Sequence, residues 1–225
     1  MKRRSLFIPW TCLIVVGLAL APFPGRWGVF KDLLPILAVG LFHWRARKTL
    51  ERAGLGRPPQ GWLPCLGLGL LLAIVLYALE VVTTKPLARF LFEEPKDLSL
   101  FEPIQGNLPM LAVYLTFMWL LAGFGEEFVW RGFVLREIGQ SSTRLRRPWI
   151  FATLLSGLLF GLIHYYQGPR GVFETAISGI VAGAIYVRSG RSSIWLVVFI
   201  HGFQNTISFV AIYLDVYYVI NFLSL

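Results

Sequence analysis

Apolar segments separated by short polar connections run through almost the whole of this 225-residue chain. A helix that crosses a bilayer needs about 20 predominantly apolar residues. The second of these segments is short and contains Pro35, which is compatible with a plain crossing, a kinked helix or a re-entrant one. The pattern predicts an all-α, polytopic transmembrane helical bundle of about seven spans, with limits of about six and eight, in one domain over residues 1–225. The predicted spans are 6–23, 31–44, 62–82, 108–130, 149–166, 172–188 and 193–214.

The connections between the spans are short, with one exception. The segment from Thr83 to Asn107 is the longest, and its proline, glutamate and phenylalanine content predicts a loop near the outer membrane interface. At the N-terminus, a basic start followed by an apolar stretch resembles a signal peptide, but the later spans favour a retained first helix. Residues 216–225 are too few to span a bilayer.

Lysine and arginine are distributed unevenly among these connections. If the N-terminus is cytoplasmic and all seven segments cross, most of the 21 basic residues fall on the cytoplasmic side, as the positive-inside rule requires. A net charge of +9 can also indicate a nucleic-acid partner, but 56% of the residues are hydrophobic and the basic clusters lie between apolar spans, so no nucleic acid is expected. Cys12 and Cys65 lack metal-like spacing and are expected to act as small hydrophobic residues.

A charged cluster interrupts the fourth apolar segment. Glu126, Glu127 and Arg131 lie close together, in a region where charge is costly. Glu127 and Arg131 are four residues apart and share a helix face, whereas Glu126 points about 100° away, towards the imidazoles of other spans. A cluster that ends the helix at the cytoplasmic surface, with Arg131 reaching the headgroups, would produce the same pattern.

Two later segments each carry a histidine at helical spacing from a second notable side chain. Phe160 and His164 share one face of the fifth segment, and His201 and Asn205 share one face of the seventh. His164 also fits a residue at the lipid interface, and His201 with Asn205 also fits hydrogen bonding between neighbouring helices. An ionisable group near the middle of a membrane nevertheless indicates a functional site.

Together, a carboxylate, two imidazoles and a carboxamide can hydrolyse an amide without a covalent intermediate. A glutamate in a low-dielectric cavity can take a proton from water, and a histidine can orient that water. A second histidine and an asparagine can stabilise the oxyanion that forms. The arrangement presents one difficulty: Glu126 and His164 both lie late in antiparallel spans, so they would face opposite membrane surfaces.

The ordered set of motifs resembles that of the CPBP family, also called the type II CAAX prenyl endopeptidase or Abi family. The resemblance covers a catalytic helical core at 108–214, while the N-terminal helices of 1–107 match only in being hydrophobic. It implies an all-helical intramembrane endopeptidase with a polar cavity. The three motifs, in order, are Glu126-Glu127-x-x-x-Arg131, Phe160-x-x-x-His164 and His201-x-x-x-Asn205.

The resemblance also implies a role for each motif residue. Glu126 is expected to be the general base and His164 its partner in activating water, while His201 and Asn205 are expected to stabilise the oxyanion. The substrate is expected to be a membrane-associated protein or peptide. The residues expected to hold the catalytic groups in place are Glu127, Arg131 and Phe160.

Glutamate and histidine are also zinc ligands, so Glu126, His164 and His201 form an alternative zinc site. The asparagine at position 205 and the absence of a His-Glu-x-x-His motif favour a metal-free glutamate mechanism with no cofactor.

The resemblance leaves the substrate open. Members of the family trim prenylated CAAX proteins, take part in bacteriocin maturation or immunity, or process C-terminal sorting tails. The chain length, the arginine-rich connections and the lack of targeting extensions predict a bacterial cytoplasmic (inner) membrane protein and argue against a prenylated substrate. A non-catalytic scaffold or bacteriocin-immunity protein of the same fold is the alternative, and a small transporter would instead show inverted repeats, which the sequence lacks.

Overall fold

The structure is a computed structural model that describes residues 9–21, 30–47 and 49–217. Within these ranges the chain forms an all-helical bundle. The ends predicted for the first span, at 6 and 23, and nearly all of the segment 216–225 lie outside the described residues. The helices are α1 (Trp10–Leu20), α2 (Phe30–Arg45), α3 (Trp62–Val82), α4 (Thr84–Leu91), α5 (Leu108–Ser141), α6 (Pro148–Leu162), α7 (Gly168–Arg188) and α8 (Trp195–Tyr213).

Four helical stretches in the described part of the chain are long and apolar enough to cross a membrane, fewer than the seven spans predicted. Two further apolar helices, α1 and α6, are shorter. Large apolar side chains on α3 face outwards, as with Leu63, which is 79% exposed. Such an outer surface suits lipid rather than water. The four long stretches are Trp62–Leu91, Leu108–Ser141, Tyr165–Arg188 and Trp195–Tyr213.

Helix α5 is the centre of the bundle. Every residue from Gly125 to Leu135 is buried, so the other helices surround this part of α5 on all sides. Two wide π-helical stretches, Met118–Glu126 and Trp130–Leu135, flank the short α-helical turn Glu127–Val129. π-Helical turns are rare and occur frequently at functional sites.

The predicted span ended at residue 130, but the helix continues to Ser141. The charges at Glu127 and Arg131 pair with each other inside the bundle, so they do not require a helix end at the membrane surface. Glu126 therefore lies near the middle of α5. Its position resolves the difficulty raised by the antiparallel arrangement, because α6 runs back along the second half of α5.

Side-chain contacts fix the direction of this packing. The Trp130 and Phe160 rings are 5.8 Å apart, and Glu126 lies 4.0 Å from His164, so four residues forward on α5 correspond to four residues back on α6. His164 follows the end of α6, and α5 brings Glu126 to the same level. The two groups thus meet in the middle of the bundle.

Helices α6 and α7 pack unusually closely through glycines. A Cβ atom at Gly157 would lie 2.7 Å from the backbone nitrogen of Ile180, and one at Gly161 would lie 2.6 Å from the carbonyl oxygen of Val172. The two glycines, four residues apart, therefore form a small-residue surface for a neighbouring helix. The close approach also places Phe160 and His164 beside α7.

Replacing Gly157 by alanine is therefore expected to destabilise the bundle by about 1–3 kcal/mol, because the new methyl group meets backbone atoms that cannot move aside. The thermal unfolding midpoint in detergent can be followed with a thiol-reactive dye, since Cys12 and Cys65 are both buried. The matched control is Gly67→Ala in α3, where nothing lies within 4 Å of the added Cβ. A Gly157→Ala protein as stable as this control would contradict the packing argument.

The segment predicted to be a loop, Thr83 to Asn107, is largely helical. It contains α4 and a 3-10 helix at Ser99–Ile104. The backbone N–H of Asp97 donates to the Gln167 carbonyl, which attaches this segment to the start of α7. The prediction of a loop was therefore wrong for Thr84–Leu91 and Ser99–Ile104, which are helical, whereas residues 92–98 between them are irregular.

Candidate active site

The charged motif of α5 lies entirely inside the bundle. Glu127 and Arg131 are only 1% and 2% exposed, and Glu126 is 8% exposed. Charges at this depth are retained only where they are paired or functional. The three residues occupy the α-helical turn between the two π-helical stretches and the positions beside it.

Glu127 is the centre of a buried ionic network. Arg131 donates from Nη1 to Glu127 Oε1 over 2.8 Å and from Nη2 to the Gly179 carbonyl over 3.0 Å. The same Glu127 oxygen accepts a hydrogen bond from His201 Nδ1 at 2.9 Å. These contacts connect α5 to α7 and α8. Glu127 was expected to help hold the catalytic groups in place, and in the structure its imidazole contact is with His201, so each of the two carboxylates lies beside a different imidazole.

Glu126 pairs instead with His164. The distance from Glu126 Oε1 to His164 Nε2 is 4.0 Å, too long for a direct hydrogen bond. His164 Nδ1 lies 2.8 Å from the Phe160 carbonyl. A carbonyl oxygen only accepts hydrogen bonds, so Nδ1 carries a proton, and Nε2 is the ring nitrogen nearer to Glu126.

Phe160 keeps the two imidazoles apart. Its ring is tilted against His164 at 4.8 Å and meets His201 edge-on at 6.3 Å. The Arg131 guanidinium lies over the same ring at 4.8 Å, a cation–π contact. Phe160 thus separates the pair around Glu126 from the network around Glu127 while contacting members of both.

One cavity of about 320 Å³ is lined by all four residues expected to be catalytic, Glu126, His164, His201 and Asn205. Asn205 follows His201 by one turn of α8, so both side chains reach the cavity from the same helix. Phe160 also lines the cavity, whereas Glu127 and Arg131 lie behind it. The volume is in the range of small-molecule and short-peptide sites.

Comparison with known proteins bears on the same part of the chain. Residues 108–207, a little under half of the sequence, match the family model described as Type II CAAX prenyl endopeptidase Rce1-like. Residues 108–207 form an Rce1-like domain. At the family level this is a CAAX-type protease domain, and with its apolar helices the chain is an integral membrane protein. No curated protein and no solved structure matches the chain significantly.

The Rce1-like domain does not supply the whole cavity. Asp32 of α2 and Glu80 of α3 line it from outside the matched residues, and Glu174 of α7 lines it from within. These three carboxylates were not identified as functional candidates from the sequence, although each falls within a predicted span. A charged residue inside an apolar span is the signal that could have found them.

Glu80 connects the N-terminal helices to the Rce1-like domain. Its Oε1 accepts hydrogen bonds from Ser178 Oγ at 3.0 Å and from Gln204 Nε2 at 3.3 Å. Nearby, Lys96 Nζ lies 3.8 Å from Glu174 Oε2. Burial lowers the pKa of Lys96, an effect that the Glu174 carboxylate opposes. The cavity therefore has a second polar region in addition to the Glu126–His164 pair.

The side chains of the Rce1-like domain do not form a preformed zinc site. In the described ranges no three His, Cys, Asp or Glu side chains converge closely enough to hold a metal ion. The alternative set of Glu126, His164 and His201 does not converge in this way, so it does not fit zinc as it stands, and no step below is assigned to a metal.

Proposed function

We propose that the chain is an intramembrane endopeptidase that hydrolyses a peptide bond of a membrane-associated protein or peptide, with Glu126 as general base and without a metal cofactor. The observation that carries the proposal is the 4.0 Å separation of Glu126 Oε1 and His164 Nε2 in a cavity that His201 and Asn205 also line. The Rce1-like match of 108–207 supports a protease at the family level.

The spacing of Glu126 and His164 suits one bridging water. If a water oxygen lies about 2.8 Å from both Glu126 Oε1 and His164 Nε2, the angle at the water oxygen between these two atoms is about 90°. One water can donate two hydrogen bonds at this angle. Glu126 takes a proton from this water, and the lone pair of His164 Nε2 accepts the second hydrogen bond. The oxygen then carries the negative charge needed to attack the carbonyl carbon.

We assign the stabilisation of the oxyanion to His201 and Asn205, which both line the cavity. His201 donates Nδ1–H to Glu127, so it can donate from Nε2 as well only when the ring carries both protons. The Glu127 carboxylate at 2.9 Å favours that charged form. The Asn205 carboxamide supplies a second donor, and each well-placed donor contributes about 3–4 kcal/mol to transition-state stabilisation.

Collapse of the tetrahedral intermediate completes the reaction. The bond between the carbonyl carbon and the amide nitrogen breaks, and the proton held by Glu126 passes to the leaving amine. The water hydroxyl stays on the acyl product. No side chain becomes covalently attached, so no nucleophilic serine or cysteine is needed.

The distribution of basic residues supports a membrane orientation with a cytoplasmic N-terminus in a bacterial inner membrane. The mid-helix position of Glu126 supports a reaction near the middle of the bilayer. A substrate would then enter from the lipid or from one membrane surface. We propose no specific substrate, and prenylation of the substrate is not required by the cavity.

The decisive experiment follows cleavage by the purified protein in proteoliposomes. A set of hydrophobic, internally quenched peptides is incubated with the protein, and the products are identified by mass spectrometry. Cleavage is expected to persist after treatment with 1,10-phenanthroline, because the proposed base and oxyanion donors are all side chains. Loss of cleavage with the chelator and its recovery with added zinc would overturn the metal-free mechanism. An absence of cleavage across the peptide set would favour the non-catalytic scaffold or immunity protein.

A further inference from the structure

Lys85 is the most unusual charged group in the cavity apart from the proposed catalytic residues. It is only 6% exposed, and its Nζ atom makes no hydrogen bond to any residue that the structure describes. Its Nζ atom lies 4.5 Å from the centre of the Tyr77 ring and 5.3 Å from the centre of the Tyr217 ring. Ring faces attract a cation but accept none of its three N–H bonds as a carboxylate would.

The other charged groups around this part of the cavity already have partners. Glu174 receives Arg170 Nε at 3.0 Å and Lys96 Nζ at 3.8 Å. Glu80 is occupied by Ser178 and Gln204. Around Lys85 itself, three cations therefore face two carboxylates, which leaves one positive charge in excess there, while Asp32 and Glu126 line other parts of the same cavity.

The positive region lies at a distance from the proposed catalytic groups. Tyr217, which contacts Lys85, packs in the cluster that contains Ala211, ten residues after His201 on α8. Ten residues of helix rise about 15 Å. An extended peptide covers that distance with about four or five residues. A peptide whose scissile bond lies at His201 can therefore place an anionic group beside Lys85.

We infer that Lys85 binds a carboxylate of the peptide substrate, in a subsite separate from the Glu126–His164 pair. The inference rests on the proposed peptidase function and adds a specificity determinant to it. A monoanionic carboxylate matches the single excess positive charge and supplies the acceptors that the ammonium lacks. The Tyr217 ring, the more distant of the two aromatic contacts, has to move aside to admit it. The carboxylate can come from the C-terminus of the peptide or from an acidic side chain.

Binding can be measured independently of cleavage. The probes are three dansyl-labelled pentapeptides of leucine and alanine: one with a free C-terminal carboxylate, one with a C-terminal carboxamide, and one with a carboxamide and glutamate as its last residue. They are titrated against the Glu126→Gln protein in proteoliposomes, which is expected to hold a peptide uncleaved. Liposomes without protein correct for partition into lipid.

The free carboxylate is expected to bind about tenfold more tightly than the carboxamide, as a charge-assisted hydrogen bond predicts. Lys85→Met is expected to remove this preference, and Lys85→Arg to retain most of it because the charge and the donors remain. Lys96→Met, which removes a cation already paired with Glu174, is the matched control and is expected to keep the preference. The glutamate peptide shows whether an acidic side chain serves as well as the C-terminus.

The inference would be overturned if the Glu126→Gln protein binds the carboxylate and carboxamide peptides equally tightly, or if it binds neither. The same holds if Lys96→Met removes the preference as fully as Lys85→Met, because the general field of the cavity would then explain it. The proposed function is tested separately by cleavage in the wild-type protein. A Lys85-dependent preference without cleavage would support the carboxylate site and count against the peptidase function. Cleavage without the preference would support the peptidase function and count against the carboxylate site.

Discussion

Replacing Glu126 by glutamine is expected to lower kcat/KM for peptide cleavage by about 100- to 10,000-fold, the usual contribution of a general base. Glutamine keeps the size of the side chain but cannot take a proton from the water that we place between Glu126 and His164. The folded state is expected to be nearly unaffected, because the carboxamide keeps one oxygen acceptor and because the buried ion pair with Arg131 belongs to Glu127. Initial rates of cleavage and the thermal unfolding midpoint are measured on the same preparation.

The control for this variant is Glu93→Gln, which neutralises an exposed carboxylate outside the cavity. It is expected to cleave at the wild-type rate, which excludes a general effect of lowering the negative charge. Full activity in Glu126→Gln would remove Glu126 from the mechanism. If the unfolding midpoint falls so far that the variant is largely unfolded under the assay conditions, the loss of activity would instead assign Glu126 a structural role.

Replacing Arg131 by methionine is expected to lower the free energy of unfolding by about 3–5 kcal/mol, the usual cost of breaking a buried ion pair from one side. Arg131 is 2% exposed and donates both to Glu127 and to the Gly179 carbonyl. Its loss leaves a buried carboxylate that keeps the hydrogen bond from His201. Unfolding in mixed detergent micelles, followed through the buried Cys65 thiol, measures the change.

The double variant Glu127→Met with Arg131→Met separates stability from activity. It is expected to recover part of the lost stability, because no uncompensated charge then remains buried. Its cleavage rate is expected to stay low, since His201 loses the carboxylate that favours its charged form. Lys96→Met is the control, and its partly exposed pair with Glu174, 3.8 Å apart, is expected to contribute about 1 kcal/mol or less. Arg131→Met no less stable than this control would contradict the buried network.

These two predictions assign different work to neighbouring residues. Glu126 faces the cavity and His164, and its loss is expected to affect the chemistry. Glu127 lies behind the cavity and holds His201 and Arg131, and its loss is expected to affect both the fold and the oxyanion donors. Glu126 ends the first π-helical stretch, and Glu127 begins the short α-helical turn that follows it.

The amino-acid sequence by itself was sufficient to predict a helical membrane protein and to identify the Rce1-like relationship. Both follow from local information: the length of apolar segments, and pairs of functional side chains four residues apart on one helix. Residues such as His201 and Asn205 share a face of α8 whatever surrounds that helix. Gly157 and Gly161 of α6 are likewise four residues apart, a spacing typical of close helix packing.

Only the tertiary structure decided which groups meet. The sequence placed Glu126 at the end of a span and directed it towards both imidazoles, whereas α5 continues to Ser141 and His201 pairs with Glu127. Lys85 and Glu80, which lie outside the Rce1-like domain, join the same cavity through the packing of α3 and α4. The physical reason is that helical periodicity fixes direction around one axis, while depth, neighbours and partners depend on how separate helices pack. A charge within an apolar segment can be recognised in the sequence, but the packing of the helices determines which residue it pairs with.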